Sequence, residues 1–235
     1  MKITAFDIAR MIDLSCVRTI SSKDDIEEMV ANARKYQFGQ VSVLQCFIPL
    51  VKRLIINDPE IKLIGNVSFP SGSDSTTTKI FQAQEMVAAG CDEIDMVINV
   101  GKLRSGEISE VTNDVITIVS IVHPIPVKVI IETPYLSPQE IETASKICVE
   151  ARAAFVKTGT GWSEKGTTLE DVRLIKSVVG ERIKIKASGG IRDVKTLIDM
   201  YQLGARRFGV NLKSGVQIVE ECVNNPAIMA GMIKD

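Results

Sequence analysis

Histidine is almost missing from this chain. The only one among 235 residues is His123, in Val122-His123-Pro124. It falls at the tail of a helical stretch, where it reads as a surface residue favoured by the helix dipole. One histidine cannot build a zinc cluster, and a helix end before proline is a poor place for a triad base. Cysteine is scarce and unpatterned. Cys16, Cys46, Cys91, Cys148 and Cys222 are odd in number and show no Cys-x-x-Cys spacing. They read as reduced thiols of a cytoplasmic protein, not as a disulfide framework or a metal site. Neither sign of charge is in excess: Lys+Arg total 28 and Asp+Glu 29. No overall basic field therefore points to nucleic acid. No apolar run approaches the roughly 20 residues of a membrane span. Asp7 interrupts the first residues before a signal peptide's apolar block could form. No membrane partner is expected. Low-complexity segments and linkers are missing too.

What is present is regular alternation. The apolar fraction is 45%, ample for one large core, and one domain over residues 1–235 is expected. A short helix, about Ala5–Arg10 capped by Thr4, opens the chain. Strands are expected at Ile12–Leu14, Gln40–Leu44, Lys62–Val67, Glu93–Val97, Val127–Glu132, Ala154–Lys157, Ile183–Ala187 and Arg206–Gly209. Helices fall between them. One is capped at Ser21 or Ser22 and carries Ile26, Met29, Val30 and Ala33 on one face, with Gly39 as its stop. Others cover about Pro49–Ile56 and Thr76–Ala89. A further helix carries Val111, Val115, Ile118, Val119 and Val122. Ser137-Pro138 opens the next, and another covers about Thr168–Val179. Asp193 caps one that carries Val194, Leu197, Ile198 and Tyr201. The last starts near Gly215. Strands alternating with helices call for a parallel sheet, and eight such units for an α/β fold of the closed (β/α)8 TIM-barrel type. A doubly wound open sheet is the alternative. Such a sheet usually carries Gly-x-Gly-x-x-Gly after the first strand, where this chain has Ser15-Cys16-Val17.

Alternate residues of a barrel strand point into the interior. Ile94 and Met96 oppose Glu93 and Asp95. Val129 and Ile131 oppose Lys128 and Glu132. Val156 opposes Lys157, and Ile185 opposes Lys184 and Lys186. The apolar sets belong under the helices, so the charged sets converge inside. Buried charges must pair or do chemistry. Lys128, Lys184 and Glu93 lie low on their strands and are expected to form a structural ion network. Asp95, Lys157 and Lys186 lie near the C-terminal ends, where barrel active sites sit.

Lys157 ends a strand and opens Thr158-Gly159-Thr160-Gly161. Lys186 ends the next strand and opens Ala187-Ser188-Gly189-Gly190-Ile191-Arg192. Mutual repulsion and burial both lower a lysine pKa, and a free amine near pH 7 can form a Schiff base with an aldehyde or ketone. Asp95 is the candidate proton shuttle. Thr158, Thr160 and Ser188 are candidates to hold substrate hydroxyls or a water. Backbone amides at Gly189, Gly190 and Gly209, with Arg192 beside them, are candidates for a phosphate.

These motifs, with Ile12-Asp13-Leu14-Ser15, Phe69-Pro70-Ser71-Gly72, the segment from Gly90 to Val97 and Lys128-Val129-Ile130-Ile131-Glu132-Thr133, resemble the deoxyribose-phosphate aldolase family over nearly the whole chain. The resemblance implies that Lys157 forms the Schiff base. It implies that Lys186 perturbs that lysine and joins in proton transfer, and that Asp95 donates and accepts protons. It implies reversible cleavage of 2-deoxyribose 5-phosphate to glyceraldehyde 3-phosphate and acetaldehyde, with no cofactor or metal. A homodimer or homotetramer in the cytoplasm is the implied setting. Asp13 is expected at the substrate side and Asn211 at the phosphate side. The sequence departs from the family pattern in places. Gly159 replaces a serine, Trp162 follows the loop, and Val210-Asn211-Leu212 replace small and serine residues. A weaker preference for phosphorylated acceptors is therefore expected. The family's occasional terminal tyrosine has no counterpart in Gly231-Met232-Ile233-Lys234-Asp235. Two alternatives stay open: a related Schiff-base aldolase using another acceptor, and a barrel that binds a sugar phosphate without turning it over.

Overall fold

Eight short strands pair in chain order, each parallel to the next, and the last closes on the first. They are β1 (Ile12–Cys16), β2 (Gln40–Val43), β3 (Lys62–Val67), β4 (Glu93–Val97), β5 (Val127–Ile130), β6 (Phe155–Lys157), β7 (Lys184–Ser188) and β8 (Ala205–Asn211). Closure puts Asp13 beside Gly209 and Ser15 beside Asn211. The coordinates are a computed structural model that describes residues 2–230 and 232. The tail singled out in the sequence lies outside the described residues, save residue 232.

The helices are α1 (Ala5–Met11), α2 (Lys23–Tyr36), α3 (Ile48–Leu54), α4 (Thr76–Ala88), α5 (Val100–Arg104), α6 (Ile108–Ile121), α7 (Pro138–Glu150), α8 (Leu169–Val179), α9 (Val194–Gln202) and α10 (Leu212–Asn224). Local chemistry starts most of them. Thr4, Ser22, Ser137 and Thr168 each accept the backbone N–H three residues on, where an acidic side chain reaches back to the cap. Losing such a cap typically costs about 1 kcal/mol. The helices then bury one apolar face against the sheet. In α2 that face is Ile26, Met29, Val30 and Ala33. The strands supply the other side with Leu14, Ile94, Met96, Val129, Val156 and Ile185. Burying a side chain such as Ile is worth about 1.5–3 kcal/mol.

The barrel expected from the alternation is present, with local corrections. Helix α2 ends at Gln37 in the left-handed region, φ 60°, and not at Gly39. Gly39 is instead a close-approach position, where a β carbon would lie 3.1 Å from the Arg10 carbonyl. Helix α10 starts at Leu212 under an Asn211 cap. Gly215 lies inside it because a β carbon there would come 2.5 Å from Leu14 Cδ2. Strand β5 stops at Ile130, two residues early. Lys184 does not join the internal ion network. It begins β7 at the open lower rim, is exposed, and holds its ammonium 5.9 Å from the Phe155 ring.

Candidate active site

The charged faces of β1, β4, β5, β6, β7 and β8 meet inside the barrel. Asp95 is their hub and is fully buried. Its Oδ2 accepts from Lys157 Nζ at 2.7 Å and from Lys186 Nζ at 2.8 Å, and its Oδ1 from Lys128 Nζ at 2.9 Å. Lys186 Nζ also lies 2.5 Å from Asp13 Oδ2, an ion-pair contact without hydrogen-bond alignment. Lys128 contacts Glu93 at 2.5 Å. Arg207 donates to Asp13 at 3.1 Å. The ion-paired cluster thus sets Lys128, Lys157, Lys186 and Arg207 against Asp13, Glu93 and Asp95. One cation is in excess.

Lys157 is the one whose proton leaves most readily. Lys186 touches two carboxylates and Lys157 one. Burial lowers the Lys157 pKa most. Asp95 pulls it up, Lys186 and Lys128 push it down, and it settles at about 8. Roughly a tenth of it is then free amine at pH 7, against well under a thousandth for an ordinary lysine. Burial alone would raise the Asp95 carboxyl. The ammoniums of Lys128, Lys157 and Lys186 outweigh burial and hold it well below the usual carboxylate range. Asp13 is likewise lowered, by Lys186, Lys128 and Arg207 against burial and Asp95. Lys157 keeps 5% of its surface exposed, while Lys186 and Asp95 keep none.

Beside these groups opens a cavity of about 470 Å³, which Asp13, Asp95, Lys157 and Lys186 do not themselves line. Thr160, Ser188, Gly189, Gly190, Arg192, Gly209 and Asn211 all line it, so every expected phosphate-side residue meets in one space. Asn211 Oδ1 accepts from Ser214 N at 2.9 Å and caps α10, whose first residues also line the cavity. Arg18, Lys165, Arg192 and Lys213 line it against Asp25 and Glu164, which favours an anion. Thr160 is nearly buried, and its hydroxyl accepts from Trp162 N at 3.0 Å. Thr158 does not line this cavity. Its hydroxyl bridges the Ser188 backbone, at 3.0 and 2.9 Å, and Thr167 Oγ1, at 2.7 Å, stitching β6 to β7. Gly209 has a packing role as well, since a β carbon there would lie 2.4 Å from Ser188 Oγ.

The expected ion network holds for Lys128 and Glu93, but three roles were not read from the sequence. Arg207 follows a second arginine, which blurs the alternation; counting back two from inward Gly209 finds it. Lys128, read as structural only, bonds the same carboxylate as Lys157. Arg18 and Trp162 form a strap: Arg18 donates to the Gly161 carbonyl at 2.8 Å, and Trp162 Nε1 to the Val17 carbonyl at 3.1 Å. The Trp162 ring also meets Phe69 edge-on at 6.3 Å.

Fold and cluster together define a class: a (β/α)8 barrel enzyme with buried lysines grouped around one carboxylate near the C-terminal ends of its strands. Residues 8–217 match the DeoC/LacD family aldolase description, and the chain belongs to that family. It is 41% identical over 220 residues to a deoxyribose-phosphate aldolase of Rhizobium meliloti, covering 94% of this chain and 89% of that one. Among solved structures it is similar to the aldolase QR15, with TM-score 0.87 and 38% identity over 94% of this chain and 98% of that one. It is also similar to the tetrameric deoxyribose phosphate aldolase from Aeropyrum pernix. There the TM-score is 0.84, with 26% identity over 93% and 92% of the two chains.

Proposed function

We propose that this protein is a class I aldolase that reversibly cleaves 2-deoxy-D-ribose 5-phosphate to D-glyceraldehyde 3-phosphate and acetaldehyde. The chain acts as one barrel domain over residues 1–235, in the cytoplasm, as a homodimer or homotetramer. The observation that carries the reading is the Lys157 amine, lowered to about 8 and held 2.7 Å from the Asp95 carboxylate it shares with Lys186.

The free Lys157 amine attacks the C1 aldehyde of the open-chain sugar, and loss of water leaves a protonated imine. Removal of the C3 hydroxyl proton lets the C2–C3 bond break. Its electron pair moves into the iminium to give an enamine, and glyceraldehyde 3-phosphate leaves. Protonation at C2 and addition of water then release acetaldehyde and return the amine. Asp95, through a water, and Lys186 relay these protons. Lys186 beside it is one of the groups that lower the Lys157 pKa, after burial. Thr160 and Ser188 hold the sugar side, with Thr158 fixing the strand pair and Asp13, expected at the sugar, instead fixing Lys186 and Arg207 beneath them. Amides at Gly189, Gly190 and Gly209, the N-terminus of α10 beyond Asn211, and Arg192 receive the phosphate.

Val210 and Leu212 bring no hydroxyl to that phosphate. Recognition therefore leans on amides and long cations, which salt screens. The test is turnover of 2-deoxyribose 5-phosphate and of 2-deoxyribose, each at low and high ionic strength. The phosphorylated sugar should react better, and its advantage should shrink as salt rises. No turnover of either sugar would remove the assignment. Turnover of both at equal rates would favour the related aldolase with an unphosphorylated acceptor.

A further inference from the structure

Beyond β5 the chain keeps running beside β6. The Ile131 N–H donates to the Lys157 carbonyl at 2.9 Å, and the Thr133 N–H to the Thr158 carbonyl at 2.8 Å. Between them, Glu132 adopts the left-handed region, φ 57° and ψ 60°. A side chain strains that conformation, which persists only where its surroundings hold it. The holding contacts are visible. Glu132 is 3% exposed, and its carboxylate accepts the Thr160 N–H, at 3.2 Å to Oε1 and 3.1 Å to Oε2. Gly159 faces it. A β carbon there would lie 3.0 Å from Glu132 Oε1 and 3.2 Å from the Ser188 carbonyl. Gly159 is not among the glycines with positive φ, so a side chain there would press on the Glu132 carboxylate and not strain the backbone. No step of the proposed reaction uses Glu132.

We propose that Glu132 is a positioning residue for Lys157: its carboxylate, seated in the space Gly159 leaves, clamps the Thr158–Gly161 turn and so fixes the end of β6. This rests on the reading of Lys157 as the Schiff-base amine. The clamp works through an accepted hydrogen bond. Burial pushes the Glu132 carboxyl up, while Thr160 and Lys157 oppose that. An oxygen can accept from Thr160 in either protonation state, so glutamine should replace it and alanine should not.

The test compares wild type with Glu132→Ala, Glu132→Gln and Gly159→Ala. It reads kcat and KM for the retro-aldol reaction, and the pH dependence of borohydride trapping with acetaldehyde. Failure of wild type to trap on Lys157 would remove the aldolase reading itself. With wild type trapping there, Glu132→Ala should lose at least about tenfold in kcat with KM changed less than about threefold. Its trapping midpoint should stay at the wild-type pH. Glu132→Gln should recover to within about threefold of wild type, and Gly159→Ala should be slowed. A merely structural role would lower melting temperature and leave kcat per folded molecule unchanged, and that result would overturn the proposal. So would a midpoint shifted by about one unit in Glu132→Ala, which would mean action through charge. If Glu132→Ala does not fold, a fast Glu132→Gln with a slowed Gly159→Ala supports the clamp. Gly159→Ala at the wild-type rate overturns it.

Discussion

Lys157 and Lys186 share Asp95, yet only Lys186 also touches Asp13. That asymmetry divides their tasks, with one ammonium anchored and the other free to lose its proton. Lys186→Leu removes an influence that lowers the Lys157 pKa, so Lys157 should titrate higher. Activity at pH 7 should fall at least about tenfold, since one pKa unit is a tenfold change in free amine. Part of it should return at higher pH. A rate–pH profile checks this, and a loss equal at every pH would mean that Lys186 acts otherwise. Asp95→Asn should slow hydrogen exchange at the donor's α-carbon more than it slows trapping. Equal loss of both would make Asp95 a structural residue. The alternation along β4, β6 and β7 brought these three residues out of the sequence. Arg207 stayed hidden and Glu132 was placed inward without a role, because each depends on a neighbour from a distant segment: Asp13 for one, Gly159 and Thr160 for the other.

At the scale of elements, the strand ends place the chemistry and glycines set how closely they approach. The limits of β3 and β4 were readable because apolar runs there stop at turn residues. Those of β5 and α10 were not. A left-handed glutamate ends the one, and an asparagine cap starts the other where the residue types suggest a longer loop. Gly209 shows the same difficulty. Its type suggested an amide for phosphate, whereas its crowding shows only in the packed barrel. Gly209→Ala would put a β carbon 2.4 Å from Ser188 Oγ and 3.4 Å from Lys186 Cε. Overpacking of this kind costs about 1–3 kcal/mol. The variant should melt lower and lose activity even on unphosphorylated substrate. Full activity on 2-deoxyribose, with loss only on the phosphorylated sugar, would show that Gly209 serves the phosphate alone.

For the whole molecule, the ion-paired cluster inside the barrel sets four cations against three carboxylates among the described residues, with the Glu132 carboxylate buried beside Lys157. A lysine with a lowered folded-state pKa binds its proton less well in the native protein. It therefore destabilises the fold at neutral pH, and that cost fades as pH rises from about 8 towards the ordinary lysine value. The carboxylates act in the opposite sense. Asp13 and Asp95 are lowered, so their contribution is present above the ordinary carboxylate range and is lost as pH falls through their folded values. Lys157→Met should thus abolish turnover yet raise stability near pH 7, by a few kcal/mol at most. Asp95 would keep Lys128 and Lys186 as partners. Thermal melts at pH 7 and at pH 10 check this, with the gain smaller at pH 10. Destabilisation at both would mean that the Lys157–Asp95 contact outweighs the buried charge.

The most direct measurement is borohydride reduction of the protein with acetaldehyde, followed by peptide mass mapping across pH 6 to 10. A two-carbon adduct on Lys157, with a yield that rises through about pH 8, is the predicted result. An adduct on Lys186, or none on either lysine at any pH, would contradict it.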